Sequence, residues 1–172
     1  MSTFVLIEKY TVGAGGVSSV TLGSGGTIPQ TYTDLVVKCS VRGSTGSFPS
    51  LRIKANGATT NYSSRRLYGD GTSAASDTPT TPAYWVQAPI TSASETANTF
   101  ANSEYVIPNY TGSNYKSISF DSVAENNATA TYTMLVAGLW SSTSAITSLD
   151  FFLSSGNLAQ YSTFYLYGIL KA

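Results

Sequence analysis

"TDLVVKCSVRG", residues 33–43, is the stretch on which the class of fold turns. Its side chains part cleanly in alternation. Leu35, Val37, Cys39 and Val41 fall on one side; Val36, Lys38, Ser40 and Arg42 fall on the other. Successive side chains of a β-strand point to opposite faces, so this pattern describes a strand buried on one face. The spacing of three and four that marks an amphipathic helix is hard to find anywhere in the chain.

Working outward, the same rhythm recurs. "LRIKA" (51–55) turns Leu51, Ile53 and Ala55 inward and Arg52 and Lys54 outward. "YKSISFDSV" (115–123) sets Ile118 and Phe120 against Ser117, Ser119 and Asp121. "ATYTMLVAGLW" (130–140) is apolar on both sides towards its end, which predicts a central strand covered on each face. "FVLIEKYT", "VSSVTLG", "SSRRLYG", "AYWVQAPI", "SEYVIPNY", "TSLDFFLSS" and "STFYLYGIL" bring the expected total to about eleven short strands. Between them lie turn signals such as "GAGG", "GSGG", "GDG", "NYTGSN" and "SSGN". Short strands so punctuated predict an all-β antiparallel sandwich, jelly-roll-like, with little or no helix.

Two stretches resist that reading. "DGTSAASDTPTTP" (70–82) is the longest weak segment and is expected to be an exposed loop. "ITSASETANTFA" (90–101) could hold a helical turn, though its Thr and Ser content is poor for one. No internal repeat and no dividing linker is visible, so residues 1–172 read as a single domain. Residues 1–27, with "GAGGVSSVTLGSGG", read as a flexible N-terminal arm or a first hairpin.

A chain of 172 residues can bury roughly 70% of its unfolded surface, enough for a core without staples. Its lone cysteine, Cys39, excludes an intrachain disulfide and reads as a small apolar core residue. Charged residues are only 10%, against a typical figure of about 25%, and nine basic residues cancel nine acidic ones. A near-neutral surface invites association, so the composition points to a domain that works inside an assembly. Clustered Lys and Arg are missing, which argues against nucleic acid as a partner. The apolar run Phe4–Ile7 is too short for a signal peptide, and no stretch approaches a membrane helix, so neither is expected.

The chain contains no histidine, which excludes His-based serine triads and imidazole zinc sites. No catalytic residue, cofactor or metal site is therefore expected. A glycosidase needs only two carboxylates, and Glu104 with Asp121 or Asp150 would be the pair to test; solvated carboxylates on strands are the plainer reading. Asp70 could face a cation in a lectin-like loop, yet Asp-Gly is also a turn pair, and the turn is the preferred reading. The sequons at Asn61, Asn109 and Asn127 matter only on a eukaryotic secretory route. Among the aromatics, Tyr84 and Trp85 beside the long loop are candidates for stacking on a sugar, against packing as the alternative.

"ANGATTNYSSRRLYGDG" (55–71) holds two of the four arginines, Arg65 and Arg66. If the preceding strand turns at Asn56–Gly57 as a hairpin, "NYSSRRLYG" is its partner strand. The two arginines then point to opposite faces and cannot make one cationic patch. One pairs at the surface; the other reaches a carboxylate or carbonyl at a sheet edge or subunit contact.

"IPQTYTDLVVKCSVRG" (28–43), "NYSSRRLYGDG" (61–71) and "SLDFFLSSGNLAQYSTFYLYGI" (148–169) resemble a family of small β-rich virion proteins of tailed bacteriophages, with "FYLYGI" the most specific element. The resemblance runs from Ile28 to Ile169 and brings no catalytic residues. It implies a non-enzymatic structural protein of the virion, assembled in the bacterial cytoplasm: a capsid decoration or cement subunit bound to the major capsid protein. A homotrimer at local threefold positions is the expected assembly. The alternative is a receptor- or carbohydrate-binding module of a tail or head fibre, using a cell-surface glycan. Neither reading involves nucleic acid or a membrane.

Overall fold

The computed structural model describes residues 4–79, 83–128 and 131–170. Among these there is no helix, and twelve strands replace the eleven expected. They are β1 (Phe4–Thr11), β2 (Ser19–Leu22), β3 (Asp34–Val41), β4 (Ser50–Ala55), β5 (Tyr62–Gly69), β6 (Ala74–Asp77), β7 (Trp85–Pro89), β8 (Ala101–Pro108), β9 (Lys116–Ala124), β10 (Tyr132–Trp140), β11 (Leu149–Leu153) and β12 (Thr163–Ile169). One sheet runs β1-β12-β3-β8-β9-β10-β5-β6 and the other β2-β11-β4-β7, with antiparallel pairing throughout.

Eight strands make the framework. β1-β12-β3-β8 lies in one sheet and β2-β11-β4-β7 in the other, the nested-hairpin order of a jelly roll. The remaining four, β9, β10, β5 and β6, extend the first sheet beyond β8 as a flank. The framework core follows the alternation: Leu35, Val37, Cys39 and Val41 are buried, as are Leu51, Ile53 and Ala55. Phe151 of β11 bridges the layers, its ring 5.7 Å from Tyr105 and 5.1 Å from Phe164 in the opposite sheet. Burial pushes the Cys39 thiol up to about 12, so at neutral pH it stays protonated and inert.

The flank closes over β7. Trp85, fully buried, meets Tyr62 of β5 edge-on at 5.1 Å, and Tyr62 stacks on Trp140 of β10 at 6.0 Å. Gly138 permits this approach: a Cβ there would stand 2.7 Å from Trp85 Cδ1 and 2.6 Å from Ile118 Cγ2. Within the framework, Gly168 of "FYLYGI" does the same for Tyr32, whose ring a Cβ would meet at 2.3 Å. Lys116, at the start of β9, is buried, and its ammonium donates to the carbonyls of Gly112 and Asn114 at 2.5 Å each. The lysine thus supplies the partners that the 109–116 turn needs to close on itself.

Several expectations need correction. The segment 70–82 is not all loop: Ala74–Asp77 is β6, paired with β5, while Thr80, Thr81 and Pro82 lie outside the described residues. Its small residues have weak strand propensity, and the hairpin is made instead by Asp70, whose Oδ1 accepts from Thr72 N and Ser73 N at 2.8 Å each. Asn56–Gly57 does turn, with φ of 52° and 65° and Ala58 N donating to Ala55 O at 2.9 Å. It does not make a hairpin, because β4 and β5 belong to different sheets. Asn56 instead clamps the approach to β11, accepting from Thr147 N at 2.8 Å and Ser148 N at 3.1 Å. β10 is covered on one face only: Met134, Val136 and Trp140 are buried, whereas Leu135 is 58% exposed. Finally, 4–27 forms neither an arm nor a hairpin. β1 is one edge of the large sheet, beside β12, and β2 is an edge of the small one, beside β11.

Candidate functional site

The four residues singled out in the sequence do not converge. Arg65 lies exposed on the outer face of the flank, where its guanidinium donates to Ser64 O at 2.9 Å. Arg66 points to the inner face, as alternation requires, and forms a bidentate pair with Asp77 of the edge strand β6. Its Nε lies 2.5 Å from Oδ1 and its Nη2 2.7 Å from Oδ2. That hydrogen bonding holds the Arg66 guanidinium above and the Asp77 carboxyl below their ordinary ranges. Tyr84 is half-buried on the small sheet, with the Arg52 guanidinium 4.5 Å over its ring and Phe152 edge-on at 6.0 Å. Trp85 is not a surface residue at all but a core one, and its Nε1 has no hydrogen-bond partner among the described residues.

What the structure brings together instead is the outer face of the eight-stranded sheet. Cross-strand register places Lys9, Tyr165, Lys38, Glu104, Asp121, Leu135 and Leu67 in one row from β1 to β5. The middle of the row is charged, with Lys38 Nζ 2.8 Å from Glu104 Oε2. Its flank end is apolar: Leu67 and Leu135 are neighbours in register, and the adjacent row sets Val123 beside Thr133. A shallow groove of about 530 Å³ runs here between Arg65, Leu67, Ser76, Ser119, Leu135 and Ala137. At the opposite edge Phe4 and Leu6 are about half exposed, with Tyr167 6.2 Å from Phe4. The face therefore carries two apolar patches with a charge band between them.

The carboxylates separate likewise. Glu104 and Asp121 stand side by side in register on this open face, and Asp150 lies on the other sheet, accepting from Thr21 Oγ1 at 2.7 Å. Asp70 is engaged by the backbone of its own turn, which holds its carboxyl below the usual range. Among the described residues no three His, Cys, Asp or Glu side chains gather as a metal would require.

One constellation escaped the sequence reading. On the inner face of the flank, Tyr68, Met134 and Tyr132 share a cleft of about 380 Å³ with Arg66, and the 47–48 loop and Pro89 form its opposite wall. The Phe48 ring meets Tyr132 edge-on at 5.0 Å, and Arg66 lies 5.1 Å over Tyr68. An aromatic before proline in "GSFPS" was the one local signal, and nothing local ties it to β5 or β10.

Protein-family models give no match to this chain, and neither do curated proteins.

Proposed function

We propose that this chain is a non-enzymatic structural protein of a tailed-bacteriophage virion, a decoration subunit that binds the head shell and stabilises it. The observation that carries the reading is the bare outer face of the large sheet. A sheet face with Leu67, Leu135, Val123, Phe4 and Leu6 exposed gains by being covered. Specific interfaces commonly bury roughly 1,600 Å², and a lattice repeats the contact many times.

Net neutrality supports the same reading, because covering this surface strips water from few uncompensated charges. The resemblance in 28–43, 61–71 and 148–169 supplies the virion as the setting. A homotrimer at local threefold positions is the assembly we propose, since closed symmetry would also protect the exposed edges β1 and β6.

A cryo-EM map of the intact particle tests this. The expected result is hundreds of copies on the head, with the flank's outer face seated on a neighbouring protein. A few copies confined to the tail, or a solvent-facing flank in every copy, overturns it. Light scattering that shows a monomer both free and released from shells removes the trimer alone. Hydrolysis of a glycan that disappears in Glu104→Gln would replace the whole reading with an enzymatic one.

A further inference from the structure

We propose that the inner-face cleft of the flank is a binding site for a neutral sugar residue of a glycan, with Phe48, Tyr68, Tyr132 and Arg66 as its contacts and Asp77 holding Arg66 in place. This stands apart from the decoration reading, which rests on the opposite face of the same strands.

The site begins with a break in the core pattern. The inner-face row that carries Tyr105, Phe120 and Val136 continues into Arg66 and Asp77. Where the core would continue, the chain places an ion pair whose side chains are 21% and 38% exposed. An ion pair so open adds little to stability. Two of the five guanidinium N–H groups are spent on Asp77, leaving others of Arg66 to donate into the cleft. The pair is neutral as a unit, so the cleft offers directed hydrogen bonds with no net charge. That chemistry suits hydroxyls and disfavours phosphate or carboxylate ligands.

The walls are aromatic. The Tyr68 and Tyr132 hydroxyls have no hydrogen-bond partner among the described residues, although both rings pack against the core. Phe48 faces them from the opposite wall with φ at +44°, in the left-handed region, where a bulky side chain is strained. The surroundings enforce that conformation: Glu95 accepts from Phe48 N at 3.3 Å, Ser47 Oγ at 3.0 Å and Ser92 N at 2.6 Å. Arg42 in turn holds the Glu95 and Thr96 carbonyls at 3.2 and 3.0 Å. A loop braced to hold a strained ring over a cleft of about 380 Å³ fits the size and make-up of a small-ligand site. Apolar rings beside the Arg66 donors and the Tyr68 and Tyr132 hydroxyls match a pyranose, which presents C–H groups on its faces and hydroxyls around its rim.

Saturation-transfer NMR on the full chain tests it, with neutral hexoses and N-acetylhexosamines as probes and sialic acid and glucose 6-phosphate as acidic controls. We expect transfer to ring C–H protons of at least one neutral sugar, insensitive to salt, and none to the acidic pair. Phe48→Gly removes the ring and relieves the backbone strain, so the fold is kept while affinity falls at least tenfold. The double change Arg66→Met with Asp77→Leu replaces the pair by apolar groups of similar size and lowers affinity as far, with the melting temperature preserved. Tyr84→Ala leaves binding unchanged. No transfer to any neutral sugar, a preference for the acidic controls, or binding retained in both cleft variants overturns the proposal. Each of those results leaves the particle map untouched, so the two readings fail separately.

Discussion

The eight-stranded framework and the four-stranded flank are built from the same kind of strand but are used differently. Framework strands β3, β8, β11 and β12 sit between neighbours, and Phe151, Tyr105 and Phe164 lock their inner faces together across the layers. The flank extends one sheet only. Its inner face covers Trp85 and then opens into the cleft, while its outer face exposes Leu67 and Leu135. Stability is concentrated where two layers oppose each other. The inner cleft and the apolar patch at Leu67 and Leu135 lie where the second layer runs out.

That contrast can be broken most forcefully in the framework. Phe151→Ala deletes a fully buried ring at the layer junction and should cost about 3–5 kcal/mol in denaturant unfolding. A loss below about 1 kcal/mol would mean that the framework core is not the main source of stability. Gly138→Ala probes the seam between the two regions, because its Cβ would collide with Trp85 and Ile118. Overpacking of this kind should cost about 1–3 kcal/mol and move the Trp85 fluorescence.

The flank edge should yield to milder changes. Asp77→Ala removes a partly exposed pair and should cost no more than about 1 kcal/mol globally. Amide hydrogen exchange should nonetheless rise sharply at 74–77 and stay unchanged in β3 and β12. Acid sharpens the same point. Asp77 and Asp70 both hold folded-state carboxyls below the ordinary 3.8. Their contribution is complete above that value and is lost as the pH falls below it, through the folded values. The β5–β6 hairpin should therefore lose exchange protection first as the pH falls below 3.8, ahead of the framework; simultaneous loss would show the two regions to be one cooperative unit. The smallest effect on folding is expected from Leu67→Asp and Leu135→Asp on the bare face. Unfolding should shift by no more than about 0.5 kcal/mol, while co-sedimentation with undecorated particles should disappear.

The same division separates what was legible in the residues from what was not. β3, β4, β9 and β12 announced themselves because each pairs a buried face with a wet one, and alternation records exactly that local fact. β6 did not, because Ala74, Ala75 and Ser76 have little to bury, and the strand is held by Asp70 in its turn and by Arg66 across the ladder. The opposed directions of Arg65 and Arg66 were readable from strand geometry, which left a carboxylate or a carbonyl, at a sheet edge or a subunit contact, as the partner of one of them. Asp77 as that partner was not readable, nor was the burial of Trp85, since an aromatic beside a weak segment reads alike in a core and at a surface. "LVAGLW" illustrates the limit: apolar residues on both sides suggested two covered faces, but only one is covered within this chain.

The order of side chains by itself determined an all-β chain of short antiparallel strands, the inward set of most framework strands, and a surface nearly empty of net charge. These properties depend on backbone stereochemistry and on the partitioning of each side chain, which neighbours in sequence suffice to express. Tertiary structure alone decided which strands share a sheet, that β4 crosses to β5 instead of pairing with it, and that Phe48, Tyr68, Tyr132 and Arg66 meet at one cleft. Those outcomes depend on how two twisted layers of unequal width come to rest on each other, a relation between residues far apart that no local pattern carries.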